Sequence, residues 1–397
     1  MGLLSDRINR LSESATIAMA QKSRELAAKG IDVISLALGE PDFNTPDFVK
    51  KAAKEAIDQN FSKYMPVPGY LDLREAISKK FKRDNNLDYS PDQIVVSTGA
   101  KQSIANVVLT LINPGDEVIL PAPYWVTYEE IVKLAGGTVK IIQTDIENDF
   151  KVSAKQLKEA YSDKTKLMIF SSPCNPTGSV YSKEELEEMA EFINSTSEFY
   201  VISDEIYEHI NFVGKHYSLG NLKGMDSRVI TINGVSKAYA MIGWRIGYIG
   251  APLEIAKACV KMQGQFTSGA SSIAQRAAKA AIESDVSVTH EMRDTFRKRR
   301  DYMLKELSEI EGMKVNQPEG AFYVYPDIKA LLGTKVGNRQ INTGDDFCMY
   351  LLEEGHVATV QGEAFGTPGY FRISYAASDE ELAEAVKRIK KAISNLA

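Results

Sequence analysis

From about residue 94 the chain repeats one pattern: a short apolar run, a loop rich in Gly, Pro or Asn, then a helical stretch. The apolar runs fall at residues 94–97, 117–120, 138–142, 167–170, 200–203 and 229–232. Short apolar runs bounded by turn residues read as buried strands. Their alternation with helices predicts an α/β fold, a mostly parallel sheet with helices on both faces. From about residue 269 to 310 the pattern is strongly helical, and the charged run at 292–305 alternates in sign, which reads as a solvated helix face. The pattern then changes. A strand at 320–325, a polar helix at 343–354, a strand at 370–375 and an amphipathic helix at 379–395 predict a smaller α+β domain. Residues 333–342 are the expected mobile surface loop.

Before residue 94 the pattern is less regular. A helix at 18–29 is stopped by Gly30, and a strand at 33–38 runs into Gly39-Glu40-Pro41-Asp42. Gly39 either makes a turn or lets the backbone approach a ligand closely. Thr45 reads as the N-cap of a second helix with Pro46 at its first position. Two prolines and a glycine stiffen the loop from Lys63 to Tyr70, which presents Tyr64 for packing or for contact, and a helix at 71–82 follows.

Composition narrows the function. The 397 residues carry 47 Lys+Arg against 53 Asp+Glu, a net charge of −6, which argues against a nucleic-acid partner. Cys174, Cys259 and Cys348 are odd in number and far apart, as in a reduced cytosolic protein. The four histidines lack H-E-x-x-H spacing, so no metal site is expected. No apolar run approaches the roughly 18–20 residues of a membrane span. The first ten residues are too polar for a signal peptide, and Met1-Gly2 lacks the Ser or Thr of a myristoylation motif at Asp6. The expected location is the cytoplasm.

In an open α/β sheet, ligands bind beyond the carboxyl ends of the strands. Thr98-Gly99-Ala100-Lys101 opens a helix there, an ordinary βα turn or an anion nest. Asn175 stands in the stiff run Ser171-Ser172-Pro173-Cys174-Asn175-Pro176-Thr177-Gly178, as a turn residue or as an amide donor. Asp204 ends a buried strand, where a lone carboxylate is costly without a cation, and Tyr207 follows three residues on. After the last run comes Gly234-Val235-Ser236-Lys237-Ala238-Tyr239, with Arg245 eight residues beyond Lys237. Burial disfavours an ammonium and frees the amine as a nucleophile toward carbonyls. Each feature alone has a bland reading. Together they supply what pyridoxal 5′-phosphate needs: an amine, a carboxylate for the ring nitrogen, donors for the ring oxygen, and groups for the phosphate.

The stretch from Gly234 to Gly247, Ser172 to Gly178, and Ser203-Asp204-Glu205-Ile206-Tyr207 resemble the class I aminotransferases of pyridoxal-phosphate fold type I. Gly39-Glu40-Pro41-Asp42-Phe43, Gly99-Ala100-Lys101-Gln102 and Pro123-Tyr124-Trp125-Val126 resemble the bacterial aspartate aminotransferases of the thermophile-type subgroup. The resemblance spans essentially the whole chain. It implies an N-terminal arm and part of a small domain at 1–45, a large cofactor-binding domain at 46–290 and a small domain at 291–397. It implies that Lys237 is the Schiff-base lysine and moves the substrate α-proton. Asp204 would pair with the pyridinium, Asn175 and Tyr207 would bond the ring oxygen, and Trp125 would stack on the ring. Ser236, Arg245 and the amides of Gly99, Ala100 and Lys101 would hold the phosphate, joined by Tyr64 from a second subunit in a homodimer with shared sites. Arg372 would clamp the substrate α-carboxylate beside the Gly39 backbone.

One departure concerns the second carboxylate of a dicarboxylic substrate. Animal-type members bind it with an arginine from the other subunit, which has no counterpart here. In this subgroup the resemblance assigns the task to Lys101 with Thr16. The implied reaction is amino transfer between L-aspartate and 2-oxoglutarate by a ping-pong Schiff-base mechanism, in amino acid biosynthesis. Alternatives are prephenate or aromatic specificity, possibly alongside aspartate, or a pyridoxal-phosphate β-lyase. A non-enzymatic module of a regulator is disfavoured by the intact lysine, aspartate and arginine. A nucleotide-binding dehydrogenase is disfavoured because no G-x-G-x-x-G follows a strand.

Overall fold

The computed structural model describes residues 3–396; Met1, Gly2 and Ala397, and with them the Met1-Gly2 motif, lie outside the described residues. After the helix Ala15–Ala28, a short strand β1 (Ile34–Ser35) precedes the main sheet. That sheet has seven strands: β2 (Ile94–Ser97), β3 (Glu117–Ala122), β4 (Thr138–Gln143), β5 (Thr165–Ser171), β6 (Tyr200–Asp204), β7 (Val229–Gly234) and β8 (Gly247–Gly250). Their spatial order is β2-β8-β7-β6-β5-β3-β4. The pairs from β4 through β3, β5 and β6 to β7 are parallel, and β8 runs antiparallel to both β7 and β2. Most strand residues are buried, which the unbroken apolar runs anticipate, because helices cover both faces of a parallel sheet.

The α/β expectation holds, with informative differences. Strand β8 and the helix Leu253–Phe266 were not expected. Gly247-Tyr248-Ile249-Gly250 is too short and too glycine-rich to stand out as an apolar run. It is a strand because its glycines admit close packing: a Cβ on Gly247 would collide with the Ala100 backbone. The second helix is Asp47–Asp58, with Pro46 rather than Thr45 at the N-cap position and no side-chain cap. The Thr45 hydroxyl instead donates to the Ala240 carbonyl at 2.7 Å and accepts from the Trp244 indole at 3.0 Å. The helix Leu71–Lys80 stops two residues short of Lys82 and unwinds into a π turn at Phe81–Asn85.

Beyond the sheet, β9 (Tyr323–Val324), β10 (Lys335–Val336), β11 (Arg339–Gln340), β12 (Val357–Ala358), β13 (Val360–Gln361) and β14 (Phe371–Ser374) are short. The sheet β13-β14-β9 is antiparallel, and β1 pairs in parallel with β12, so the N-terminal segment is stitched to the C-terminal elements. The expected strand at 320–325 shrinks to β9 because Ala321 takes a left-handed φ of 57°. The segment at 333–342 holds the β10–β11 hairpin rather than being a plain loop. The helix Gly344–Glu353 is not polar: Phe347, Cys348, Tyr350, Leu351 and Leu352 are buried on it. In the helix His290–Ser308, Met292, Phe296, Met303 and Leu307 face inward with one of the charges, Arg300, while most of the other charges face out. The last helix, Asp379–Ile393, opens on a Ser378/Glu381 capping box. The C-terminal core also contains Ile206 and Tyr207, so it rests directly on the turn that follows β6.

Candidate active site

Strands β5, β6 and β7 deliver Asn175, Asp204 and Lys237 at their carboxyl ends. Arg245 reaches the same edge differently. It precedes β8, whose antiparallel direction brings its amino end beside the carboxyl ends of its neighbours. All four line one cavity of about 640 Å³, with Gly39, Ala100, Lys101, Trp125, Tyr207, Ser236, Arg372 and Thr16. Gly99 stands at its border as the N-cap of the helix Ala100–Leu111. Tyr64 is not brought in; it is 98% exposed.

Lys237 sits in the turn after β7 and donates from Nζ to the Gly39 carbonyl at 2.6 Å. Its amine lies 5.6 Å from the Tyr207 ring centre and 5.7 Å from that of Phe322. Burial, and then the Arg372 charge, push its pKa down to about 8, so much of it is neutral near that pH.

Asp204 is buried, and its two oxygens accept from the Tyr128 hydroxyl at 2.8 Å and from the Ile206 amide at 3.2 Å. Both donors are neutral. Burial raises its pKa to about 6. A carboxylate in this setting is short of a cation.

Arg372 is the mirror case. It is only 2% exposed on β14, and it donates to Asn175 Oδ1 at 2.8 Å and to the Ala37 carbonyl at 2.5 Å. Its Nε has no partner among the described residues. The guanidinium lies over the Tyr323 ring at 4.5 Å and that of Phe365 at 5.1 Å, and burial lowers its pKa. Asn175 thus turns its carbonyl to Arg372, and its NH₂ remains to donate.

The turn at Gly99 is built by close packing. Gly99 has φ 83°, and a Cβ there would collide with the Arg245 guanidinium. The helix Ala100–Leu111 therefore begins against Arg245, with the first-turn amides of Ala100 and Lys101 lacking helical acceptors. Ser236 is buried beside them in the cavity wall. Lys101 extends its ammonium over Trp125, 5.0 Å from the ring centre. Its pKa is lowered by the surrounding protein and then by Arg245, although the side chain as a whole is exposed. Thr16 shares a hydrogen bond with Ser14 at 2.8 Å.

Two tyrosines were missed from the sequence. Tyr128 bonds Asp204, and Tyr323 bonds the Tyr207 hydroxyl at 2.7 Å. The only sequence signal for Tyr128 is its place three residues after Trp125. Tyr323 also explains Gly39, where a Cβ would run into its hydroxyl. Gly39→Ala is expected to destabilise the fold by roughly 1–3 kcal/mol through overpacking. Urea unfolding checks this, and Tyr323→Phe in the same background should recover part of the loss.

Comparison with known proteins follows the same lines. The family model for aminotransferase class I and II matches residues 31–389. A bifunctional aspartate aminotransferase and glutamate/aspartate-prephenate aminotransferase from Petunia hybrida is 48% identical over 395 residues, covering 98% of this chain and 82% of the relative. The crystal structure of the aspartate aminotransferase from Rhizobium meliloti superposes with a TM-score of 0.96 at 39% identity, covering 100% of both chains. Aspartate aminotransferase from Thermus thermophilus with maleate gives 0.93 at 39% identity, over 99% of this chain and 100% of that one.

Proposed function

Since the chain belongs to the class I and II aminotransferases, we propose that it uses pyridoxal 5′-phosphate to move an amino group between L-aspartate and 2-oxoglutarate, giving oxaloacetate and L-glutamate. The carrying observation is one of charge. Among the described residues, a single cavity holds a buried carboxylate with no ion-pair partner, a buried guanidinium with no ion-pair partner, and an amine of lowered pKa. These fit the cofactor and an amino acid. Asp204 would hold the ring nitrogen, Asn175 and Tyr207 the ring oxygen, and Trp125 the ring face. Arg245, Ser236 and the amides of Gly99, Ala100 and Lys101 would hold the phosphate. When bound, the cofactor supplies an aldehyde and an electron-withdrawing ring.

The chain's own residues do the rest. Arg372 exchanges Ala37 and Asn175 for the substrate α-carboxylate, a planar two-pronged match. The Gly39 backbone flanks that carboxylate. Lys237, once free of Gly39, has the basicity to take the α-proton and return it. The burial of Arg372 and Asp204 keeps water from competing for either charge. Amino donor and oxo acid acceptor use this cavity in turn, which is ping-pong order.

Lys101 and Thr16 are proposed to recognise the second carboxylate of a dicarboxylic substrate. The maleate named with the Thermus thermophilus relative, itself a dicarboxylate, supports this reading. Lys101→Ala should lower kcat/KM for aspartate by roughly 10- to 150-fold, toward the lower figure because the side chain is exposed, and should leave alanine little changed. Steady-state assays with the two donors check it; an unchanged aspartate/alanine ratio would reject the assignment. A second reading, amino transfer to prephenate in the same cavity, is supported by the name of the Petunia hybrida relative.

The exposed Tyr64 phenol is proposed to complete the phosphate site of a second copy, making the active unit a homodimer in the cytoplasm. None of the described helices is long and apolar enough to cross a membrane.

A further inference from the structure

The turn after β6 has two faces. Asp204 and Tyr207, three residues apart, line the cavity. Glu205 and Glu208, also three apart, are buried away from it in an ionic cluster that the proposed chemistry does not use. Glu205 is 1% exposed and accepts four hydrogen bonds. Ser203 Oγ donates to one oxygen at 2.9 Å, and Ser218 Oγ at 2.6 Å, His216 Nε2 at 2.9 Å and Asn85 Nδ2 at 3.2 Å donate to the other. Asn85 also donates to Glu208 at 2.6 Å and accepts from Lys80 Nζ at 2.7 Å. Lys80 forms an ion pair with Glu208. His209 lies 3.2 Å from Glu208 and 3.7 Å from Asp84, and Asp84 lies 3.7 Å from Lys80. Within each of two groups, Asp84–Glu208–His209 and Glu205–Glu208–His216, the carboxylate and imidazole atoms lie within 4.8 Å of one another. The Lys80 ammonium and the Asn85 amide stand among them.

A buried ionic cluster is a poor source of stability, because apolar residues of the same volume do as well or better. What it supplies is directional constraint: four donors around one carboxylate hold it in one orientation. Two backbone bonds tie that orientation to the turn. Glu205 N–H donates to Ile232 of β7 at 2.9 Å, and Glu208 N–H donates to Glu205 at 3.0 Å. On the cavity side the Asp204 carboxylate accepts from the Tyr128 hydroxyl and the Ile206 amide, while its backbone belongs to the end of β6.

We propose that Glu205 is a positioning residue for the amino-transfer site: its buried donors lock the turn at residues 203–208 so that Asp204 and Tyr207 face the cofactor. This rests on the function proposed above. Its negative charge beneath the site also favours a protonated cofactor. Glu205→Gln keeps the volume, removes that charge and sets an amide among hydrogen-bond donors.

The test compares wild-type and Glu205→Gln holoenzymes by dialysis of pyridoxal phosphate and by pH titration of the visible chromophore. The dissociation constant should rise about tenfold, the lower end for losing a charge-assisted hydrogen bond. The chromophore pKa should fall by about one unit, the effect of removing a charge several ångströms away in protein. A thermal midpoint that drops while both quantities stay at the wild-type values would overturn the proposal, leaving Glu205 purely structural. If Glu205→Gln does not fold, Ser218→Ala removes one donor and leaves the charge; it should raise the dissociation constant about threefold without lowering the chromophore pKa, and an unchanged dissociation constant overturns the proposal. A wild-type protein that forms no chromophore would instead reject the functional reading itself.

Discussion

Lys237→Ala should bind pyridoxal phosphate without a covalent bond and should lose amino transfer by at least about 10⁴-fold in kcat. The variant removes both the nucleophile and the proton carrier, and general acid–base catalysis alone is worth about 10²–10⁴-fold. The same variant should be more stable than wild type as the apoprotein. Folding lowers the lysine pKa from 10.5 to about 8, so below pH 8 the folded state carries an ammonium it disfavours. The gap corresponds to about 3 kcal/mol, reduced by the lost bond to Gly39 to a net gain of roughly 2 kcal/mol at pH 7. Between pH 8 and 10.5 the folded amine is neutral while the unfolded one still binds its proton. The advantage therefore fades across that window. Urea unfolding at pH 7 and pH 10, with a single-turnover assay on aspartate, checks both halves.

Asp204→Asn should lower kcat roughly 10²- to 10³-fold, the cost of breaking a buried charge pair by removing one partner. It should also release pyridoxal phosphate on dialysis more readily than wild type. The apoprotein again gains, with the opposite dependence on acid. Folding raises the carboxyl pKa from 3.8 to about 6. The burden is absent below pH 3.8, grows between the two values and is full above pH 6. Its size is about 3 kcal/mol, offset in part by a weaker bond to the Ile206 amide. Asp204→Asn should thus unfold at higher urea than wild type at pH 7.5 and show little gain at pH 4. A site made of charges awaiting partners trades stability for function.

The sheet was legible because buried parallel strands are written as unbroken apolar runs, and six of its seven strands were placed to within a few residues. Strand β8 was not, because its glycines serve close packing rather than apolar burial. That omission hid why Arg245, which precedes a strand, shares an edge with residues that follow strands. Asn175, Asp204 and Lys237 could be read because each stands at the carboxyl end of a strand or in the turn after it, whereas Arg372, inside β14, was legible only through the family resemblance. Tyr128 and Tyr323 could not, since their partners lie 76 and 116 residues away and nothing local marks them. The Thr45 hydroxyl is a similar case: local rules make it a helix cap, and the tertiary bonds to Ala240 and Trp244 take precedence. The Glu205 cluster was invisible for the same reason, because Lys80, Asn85 and His216 meet only in the fold.

The most direct test of the account is a half-reaction. The holoenzyme is mixed with L-aspartate in the absence of any oxo acid, and its visible spectrum and the oxaloacetate formed are recorded. Amino transfer through Lys237 predicts conversion to the pyridoxamine form with one oxaloacetate per site, faster than with alanine. A spectrum that does not change with aspartate, or that changes only with monocarboxylic or aromatic donors, would contradict it.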